Sequence, residues 1–264
     1  MRIYTTLGPF AEEIRHGEIT DGSALQNRVT AAGFDGFEFG LGVLNHPGGR
    51  RLLEGLDFTR VTFHSNHFEF SLGSANPYRR KAAIQQLRDE IDLAVANAVS
   101  VLTFHPGFEG KRIPREESHR IVIDSLGEVL STHGGILKGS LTTLALENMD
   151  KNLEKLFRTA DELEFALTEI PDLGMTCDLA HCALNQFDIS KFIDRVGKWI
   201  RHIHISGYKA GLPHSKVSLK ESEVDFSNFV QRLTSPTMVF VIENGTLPLA
   251  HESRMFLESL RNSS

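Results

Sequence analysis

Seven residues able to bind a metal or move a proton stand at or near the ends of short apolar runs. They are Glu38 in "FDGFEFG", His64 in "RVTFHS", His105 in "SVLTFH", Glu147 in "TTLALEN", Asp178 in "GMTCDLA", His204 in "RHIHIS" and Glu243 in "MVFVIEN". Each alone has a bland reading, since most histidines in proteins are hydrogen-bonded structural residues. Together they pose an electrostatic problem, because converging carboxylates raise one another's pKa and repel. A divalent cation removes that cost, and imidazole with carboxylate is a donor set for zinc, manganese or iron. "CDLAHC" adds His181, three residues after Asp178, where one helical turn brings both side chains to one side. The plainer reading of that pair is an aspartate cap beside an unrelated histidine.

Alternation decides which of these residues can converge. In "RVTFHS", Val61, Phe63 and Ser65 share one face, and Thr62 and His64 share the other. "VLTFHPGFEG" ends its apolar run on His105, after which Pro106 and Gly107 turn the chain clear of that histidine. Cys177 alternates with Asp178 and so points away from it, which makes it a packing residue.

The runs read as eight buried parallel strands: Arg2–Leu7, Phe34–Gly40, Arg60–Ser65, Ser100–His105, Thr142–Asn148, Gly174–Ala180, Arg201–Ser206 and Met238–Asn244. Helical segments lie between them. Asn76–Ala98 is the clearest, with Asn76 as cap, Pro77 in the first helical position and an apolar stripe of Ile84, Leu87, Ile91 and Val95. Further helices are expected near Ser23–Ala32, over Arg115–Gly134 with Gly134 as terminator, and over Lys151–Asp172, Asp188–Ile200, Asp225–Leu233 and Leu249–Asn262. Eight such units predict a (β/α)8 TIM barrel, α/β in class, with residues 1–264 as one domain. An open doubly wound sheet holds the same alternation, but no GxGxxG follows the first strand. In a barrel the strand C-termini form the active face, which is where these residues stand.

Bulk composition narrows the partners. The chain has 264 residues, 41% of them hydrophobic, with a net charge of −6 and no Lys/Arg-rich run to mark a nucleic-acid binder. Two cysteines cannot staple a fold of this size, which predicts a reducing, cytoplasmic location. No run reaches the ~20 residues of a membrane span.

As an ordered set across the chain, these positions resemble the xylose isomerase-like barrel superfamily. It contains the endonuclease IV family and many sugar isomerases and epimerases. The resemblance is carried by "ALEN", "CDLAHC", "HIHIS" and "VIEN", and it implies that Glu147, Asp178, His204 and Glu243 hold one divalent ion. It also implies that Glu147 and Glu243 move protons. His64, the "FHPG" of His105, the segment "FSLGSANPYRRKAAIQQL" and His181 resemble the endonuclease IV branch, where such histidines bind further zinc ions.

The departures bear on ion number. The family's Asp-x-His pair after strand seven is absent from "GYKAGLPHSKVSLKESEVDF", whose only histidine is His214, so one or two ions are expected rather than three. The N-terminal "TTLGPFAEE" lacks the Ser/Ala/Gly-rich opening of the DNA repair enzymes. Ala210 stands six residues after His204, where several ketose epimerases have a substrate-binding arginine, and Lys209 is the nearby cation. Glu38, Lys209 and His214 are therefore secondary candidates for a metal or substrate contact.

Three functions follow. The first is a zinc- or manganese-dependent isomerase or epimerase of a sugar or sugar phosphate, removing a proton beside a carbonyl held by the ion. The second is a phosphodiesterase acting on abasic DNA, and the third a metal-binding barrel without turnover. Substrate choice is expected to lie in the loops Leu41–Arg50, Glu109–Pro114 and Ser206–Glu223.

Overall fold

In a computed structural model, which describes residues 1–66, 71–108, 113–151 and 154–262, eight parallel strands close on themselves in sequence order. They are β1 (Arg2–Thr6), β2 (Gly36–Gly40), β3 (Val61–His64), β4 (Val101–Phe104), β5 (Thr143–Glu147), β6 (Gly174–Asp178), β7 (Ile200–Ile205) and β8 (Val239–Ile242). The expected (β/α)8 barrel is thus the observed one, and β8 closes it on β1 through Tyr4↔Val241. Several strands are shorter at their ends than the apolar runs, so His105 and Glu243 stand one residue past β4 and β8.

The pleat divides each strand between two environments. Phe37, Phe39, Phe63, Leu102, Phe104, Met175, Cys177, Ile203, Phe240 and Ile242 belong to one apolar core with residues of the surrounding helices. The alternate residues fill the barrel. At its base Tyr4 packs with Val239 and Val241, and its ring lies so close to Gly36 that an added Cβ would meet Tyr4 Cζ at 2.6 Å. Above them comes a buried polar layer of Glu38, Thr62, Thr103, Thr176 and His202, in which the hydroxyls of Thr103 and Thr176 lie 2.8 Å apart. Between β6 and β7 the register shifts by one residue, from Met175↔Ile200 to Thr176↔His202. Arg201 is the extra residue and turns outward, exposed, so His202 and His204 both point inward.

The helices are α1 (Ala11–Arg15), α2 (Gly22–Ala31), α3 (Pro77–Ala96), α4 (Arg115–Lys138), α5 (Ala160–Glu169), α6 (Leu179–Leu184), α7 (Ile189–Val196), α8 (Ser227–Leu233) and α9 (Leu247–Asn262). Asn76 caps α3 as expected, its Oδ1 accepting from the Tyr78 and Arg79 amides at 3.0 and 3.3 Å. In the predicted stripe Ile84, Leu87 and Ile91 are buried, whereas Ala94 takes the place expected of Val95.

Three boundaries need correction. α4 runs through Gly134 and ends at Gly139, because Leu137 beyond it packs on the core and an interior glycine costs only about 1 kcal/mol. α5 starts at Ala160 rather than Lys151, where Thr159 and Glu162 form a reciprocal capping box. α7 stops at Val196, and Ile200 already belongs to β7. Residues 152–153 of the expected Lys151–Asp172 helix, 109–112 of the expected substrate loop and Phe70 of the "FSLG" segment lie outside the described residues. Among the described residues, no helix is long and apolar enough to cross a membrane.

Candidate metal centre

Six strands deliver the candidate side chains to one rim. Glu147, the last residue of β5, is its hub. His64 Nε2 and His105 Nε2 lie 3.2 and 2.9 Å from Glu147 Oε2. His181 Nδ1 and His204 Nδ1 lie 3.5 Å from the other oxygen, Oε1. His204 Nδ1 is also 3.2 Å from Glu243 Oε1, and His181 Nδ1 is 3.2 Å from Asp178 Oδ2. Asp178 and His204, adjacent in the β6–β7 register, therefore share one site, and all seven predicted metal-binding residues are brought together.

Both readings of "CDLAHC" describe this structure. Asp178 caps α6, its Oδ1 accepting from the His181 amide at 2.8 Å, and the same turn carries the His181 ring onto the rim. Cys177 and Cys182 are free, buried thiols. Burial pushes the Cys182 thiol well up, so neither position reads as a ligand.

The tautomers leave nitrogen lone pairs for a cation. His64 Nδ1 lies 3.0 Å from the Ser65 carbonyl, and His181 Nδ1 lies 2.9 Å from the Asn148 carbonyl. A carbonyl only accepts, so both Nδ1 atoms carry the proton, and Nε2 of each ring is the atom that could bind a cation once deprotonated. His204 is reversed: Nε2 lies 3.1 Å from Glu38 Oε1, leaving Nδ1 for the rim. Among the described residues that Nδ1 and Asp178 Oδ2 are buried without a well-aligned hydrogen bond, although Glu243 and His181 stand 3.2 Å from them, and a divalent ion would engage both atoms. Among the described residues, four triads place their donor atoms within 4.8 Å of one another. They are His64/His105/Glu147, Glu147/Asp178/His204, Asp178/His214/Glu243 and Glu38/His202/His204. Glu147 belongs to two of them, as a carboxylate bridging two ions would.

The titration of the cluster follows from its charges. Burial raises Glu147, but the imidazoles of His105 and His204 overcome it and hold the carboxyl well below the usual range. Burial pushes Glu243 up to about 8; His204 opposes the rise and the like charges of Asp178, Glu147 and Glu38 reinforce it. Burial pulls His64 down, yet its hydrogen bond to Glu147 and the charge of Glu38 lift it to about 9.

The secondary candidates separate. Glu38 lies beneath the rim, reached by His202 and His204 at 3.1 Å each. His214 stands on the loop after β7, its Nδ1 2.9 Å from Ser206 Oγ and its ring 5.3 Å from that of His181. Lys209 is exposed, and among the described residues no ion pair or hydrogen bond joins its ammonium to the cluster.

Sequence reasoning missed His202, Asn148 and Asn244. The "HIH" spacing carried the signal for His202, because residues two apart share a strand face. Asn148 ties β5 to β6: its side chain accepts from the Asp178 amide at 2.8 Å and donates to the Asp178 carbonyl at 2.9 Å. Asn244 donates to the Val217 carbonyl at 2.8 Å and so anchors the loop that bears His214. The repeated "EN" of Glu147-Asn148 and Glu243-Asn244 was their trace in the sequence.

Fold and rim together define a (β/α)8 barrel with a carboxylate–imidazole centre at its C-terminal mouth. Residues 27–260 match the family described as xylose isomerase-like TIM barrel, and the chain belongs to that family. An uncharacterized protein of Methanocaldococcus jannaschii is 30% identical over 175 residues, 66% of this chain, and the chain spans 62% of that protein's length. The solved structure of a D-tagatose 3-epimerase-like protein superposes with a TM-score of 0.75 at 17% identity, covering 100% of this chain and 98% of that one. Endonuclease IV from Thermus thermophilus superposes with a TM-score of 0.69 at 14% identity, covering 100% of both chains.

Proposed function

We propose that the protein is a divalent-metal-dependent isomerase or epimerase of a sugar or sugar phosphate, working in the reducing cytoplasm. The observation that carries this reading is the pair of glutamates on β5 and after β8. They approach the free Nδ1 of His204 to 3.5 and 3.2 Å, one held ionised and the other pushed up to about 8. Environments that push two carboxyls apart make an acid–base pair. Glu147, Asp178, His204 and Glu243 would hold one ion, zinc or manganese by their donor types, and His64 and His105 with Glu147 a second. A bound ion supplies Lewis acidity towards a substrate carbonyl.

The chain's own residues do the rest. Glu147 accepts the proton from the carbon beside the carbonyl. Glu243, on the other side of His204 Nδ1, delivers a proton to the opposite face. Such positioned carboxylates contribute ~10²–10⁴-fold each. Glu38 holds His204 in the tautomer that faces the rim, and Asn148 fixes Asp178.

The test is solvent-deuterium incorporation into a panel of ketoses and ketose phosphates by the manganese-loaded protein. Exchange at the carbon next to the carbonyl, lost in Glu147→Gln, is expected. Absence of exchange across the panel refutes the reading. One observation favours a second function: His64, His105 and His181 all crowd Glu147, more imidazoles than a single-ion site uses. That arrangement suits metal-assisted phosphodiester cleavage. Cleavage of a duplex carrying one abasic site, without ketose exchange, would establish it.

A further inference from the structure

Next to the acidic rim lies a cavity of about 1040 Å³, at the upper end of the range for small-molecule sites. It begins at His64, Ser65 and Asn66 and extends over the chain that follows β1 and β2, reaching Arg15, Thr20, Asn45, His46 and Arg51. Its charge is the reverse of the rim's. Among the described residues two arginines line it and no aspartate or glutamate does, in a chain whose acids outnumber its bases 34 to 28. The rim gathers Glu147, Asp178 and Glu243, with Glu38 beneath them, carboxylates that a bound cation would engage.

The two arginines differ in what they already hold. Arg15 pairs with Glu12 one helical turn away, both side chains well exposed, an arrangement of little energetic weight. Arg51 follows the Gly48-Gly49 turn on a short 3-10 segment. Among the described residues its guanidinium has neither ion pair nor hydrogen bond. Arg28, by contrast, is consumed by a two-pronged contact with Glu13 at 2.7 and 2.9 Å. A planar guanidinium without a partner, at a cavity wall where the described lining residues include no carboxylate, suits phosphate or carboxylate oxygens.

We propose that this cavity receives an anionic group at the end of the substrate remote from the rim, with Arg51 as principal contact and Arg15 as second. The substrate is then an acidic sugar, phosphorylated or carboxylated, rather than a neutral ketose. This rests on the isomerase reading for the identity of the remainder of the molecule. The two ends of the site are complementary to a bipolar ligand: hydroxyl and carbonyl oxygens face the rim, and the anion faces the arginines.

The experiment compares each of several four- to six-carbon ketoses with its terminal phosphate and with the corresponding sugar acid. Binding to the manganese-loaded protein is measured by calorimetry, and deuterium exchange is followed in parallel. The phosphate or the acid should bind about tenfold or more tightly than its neutral parent, the gain of a charge-assisted contact; which of the two shows the gain identifies the anion. In Arg51→Gln the ratio of the two affinities should fall towards one, and in Arg15→Gln it should fall less. The ratio is the readout because general loss of folding or of metal lowers both affinities together. Equal affinities in the wild type, with exchange present, overturn the anion proposal and leave the isomerase reading intact. A preference that persists in Arg51→Gln and in the double variant overturns the assignment to these arginines. No exchange, with tight Arg51-dependent binding of an abasic duplex, overturns both in favour of a nucleic-acid phosphate in the cavity.

Discussion

The two halves of the barrel mouth are built by different means. From β3 round to β8, reactive groups other than His181, which α6 carries, sit on strand ends or one residue past them, and the hydrogen-bond register of the sheet sets their spacing. Over β1 and β2, the wall is made of loop and short 3-10 turns, with Arg51 on one and Arg15 on the five-residue α1. Strand-borne groups gain precision from the closed sheet and are enclosed by it: Asp178 and His204 are fully buried. Loop-borne groups are exposed and bring charge rather than fixed geometry. On the proposed reading, chemistry would belong to the first half and substrate choice to the second, a division of labour the barrel fold readily supports.

The largest effect expected from breaking the strand-borne half is at its hub. Glu147→Gln keeps the shape but removes the charge that His64, His105, His181 and His204 all face. Ketose exchange should fall ~10²–10⁴-fold, the contribution of a positioned base, while circular dichroism remains native. Wild-type turnover in this variant would remove Glu147 from the mechanism. Glu38→Gln probes the layer beneath. By weakening the acceptor that holds His204 Nε2, it should lower metal affinity ~10–100-fold in a chelator competition, the usual cost of disturbing a ligand's support. Unchanged affinity would make Glu38 merely a packing residue. His105→Ala, at the Glu147 end of the cluster, should lower the ion count per chain by elemental analysis without emptying the site held by Asp178 and His204. An unchanged count returns His105 to a structural role.

The same half should bind metal in a pH-dependent way. His64, lifted from 6.5 to about 9, and Glu243, lifted to about 8, must each lose a proton to become ligands. Metal affinity should therefore rise between pH 6.5 and about 9, with proton release visible by calorimetry in buffers of different ionisation heats. The metal-free fold runs the other way. Both groups have raised folded pKa values, so the stability they contribute is present at low pH. It is lost progressively as pH rises from the unfolded values, 4.5 and 6.5, to the folded ones, about 8 and 9, most clearly from pH 6.5 upwards where both groups act together. A metal-free melting temperature that climbs over that interval would contradict the assignment.

The contrast also governs what the sequence can disclose. A strand has period two, so parity at "RVTFHS", "SVLTFH" and "RHIHIS" announces which residues point inward, and the barrel follows from eight such runs. The β6–β7 bulge is invisible because an extra residue leaves composition unchanged, although it lets Ile200 face the outer core while His202 and His204 face inward. Asn148 and Asn244 escape notice because their work is done by side-chain bonds to distant backbone, at Asp178 and Val217. Gly134 misleads because tertiary packing of Leu137 overrides a local helix-stop signal. Arg51 has no period to betray it. An exposed arginine on an irregular turn reads as a solvated charge until the turn is folded against a cavity.

The smallest effects lie on the loop after β7, where two candidates that look alike in the sequence are distinct in the structure. His214 is half-buried, bound to Ser206 Oγ and stacked edge-on near His181. Its loop is held by Asn244. Lys209 on the same loop is exposed, and it is tied down through its backbone, its carbonyl accepting from the Leu212 amide at 3.1 Å. His214→Ala should weaken metal binding several-fold, below the Glu38→Gln loss, since it removes one donor of the Asp178/His214/Glu243 triad. Lys209→Ala preserves that backbone bond, and a surface substitution of this kind stays within about 0.5 kcal/mol, or roughly twofold in affinity and rate. A large loss of ketose affinity in Lys209→Ala would mean that the β7 loop carries a substrate cation of its own. The charge that selects the substrate would then be shared between both sides of the mouth instead of residing over β1 and β2.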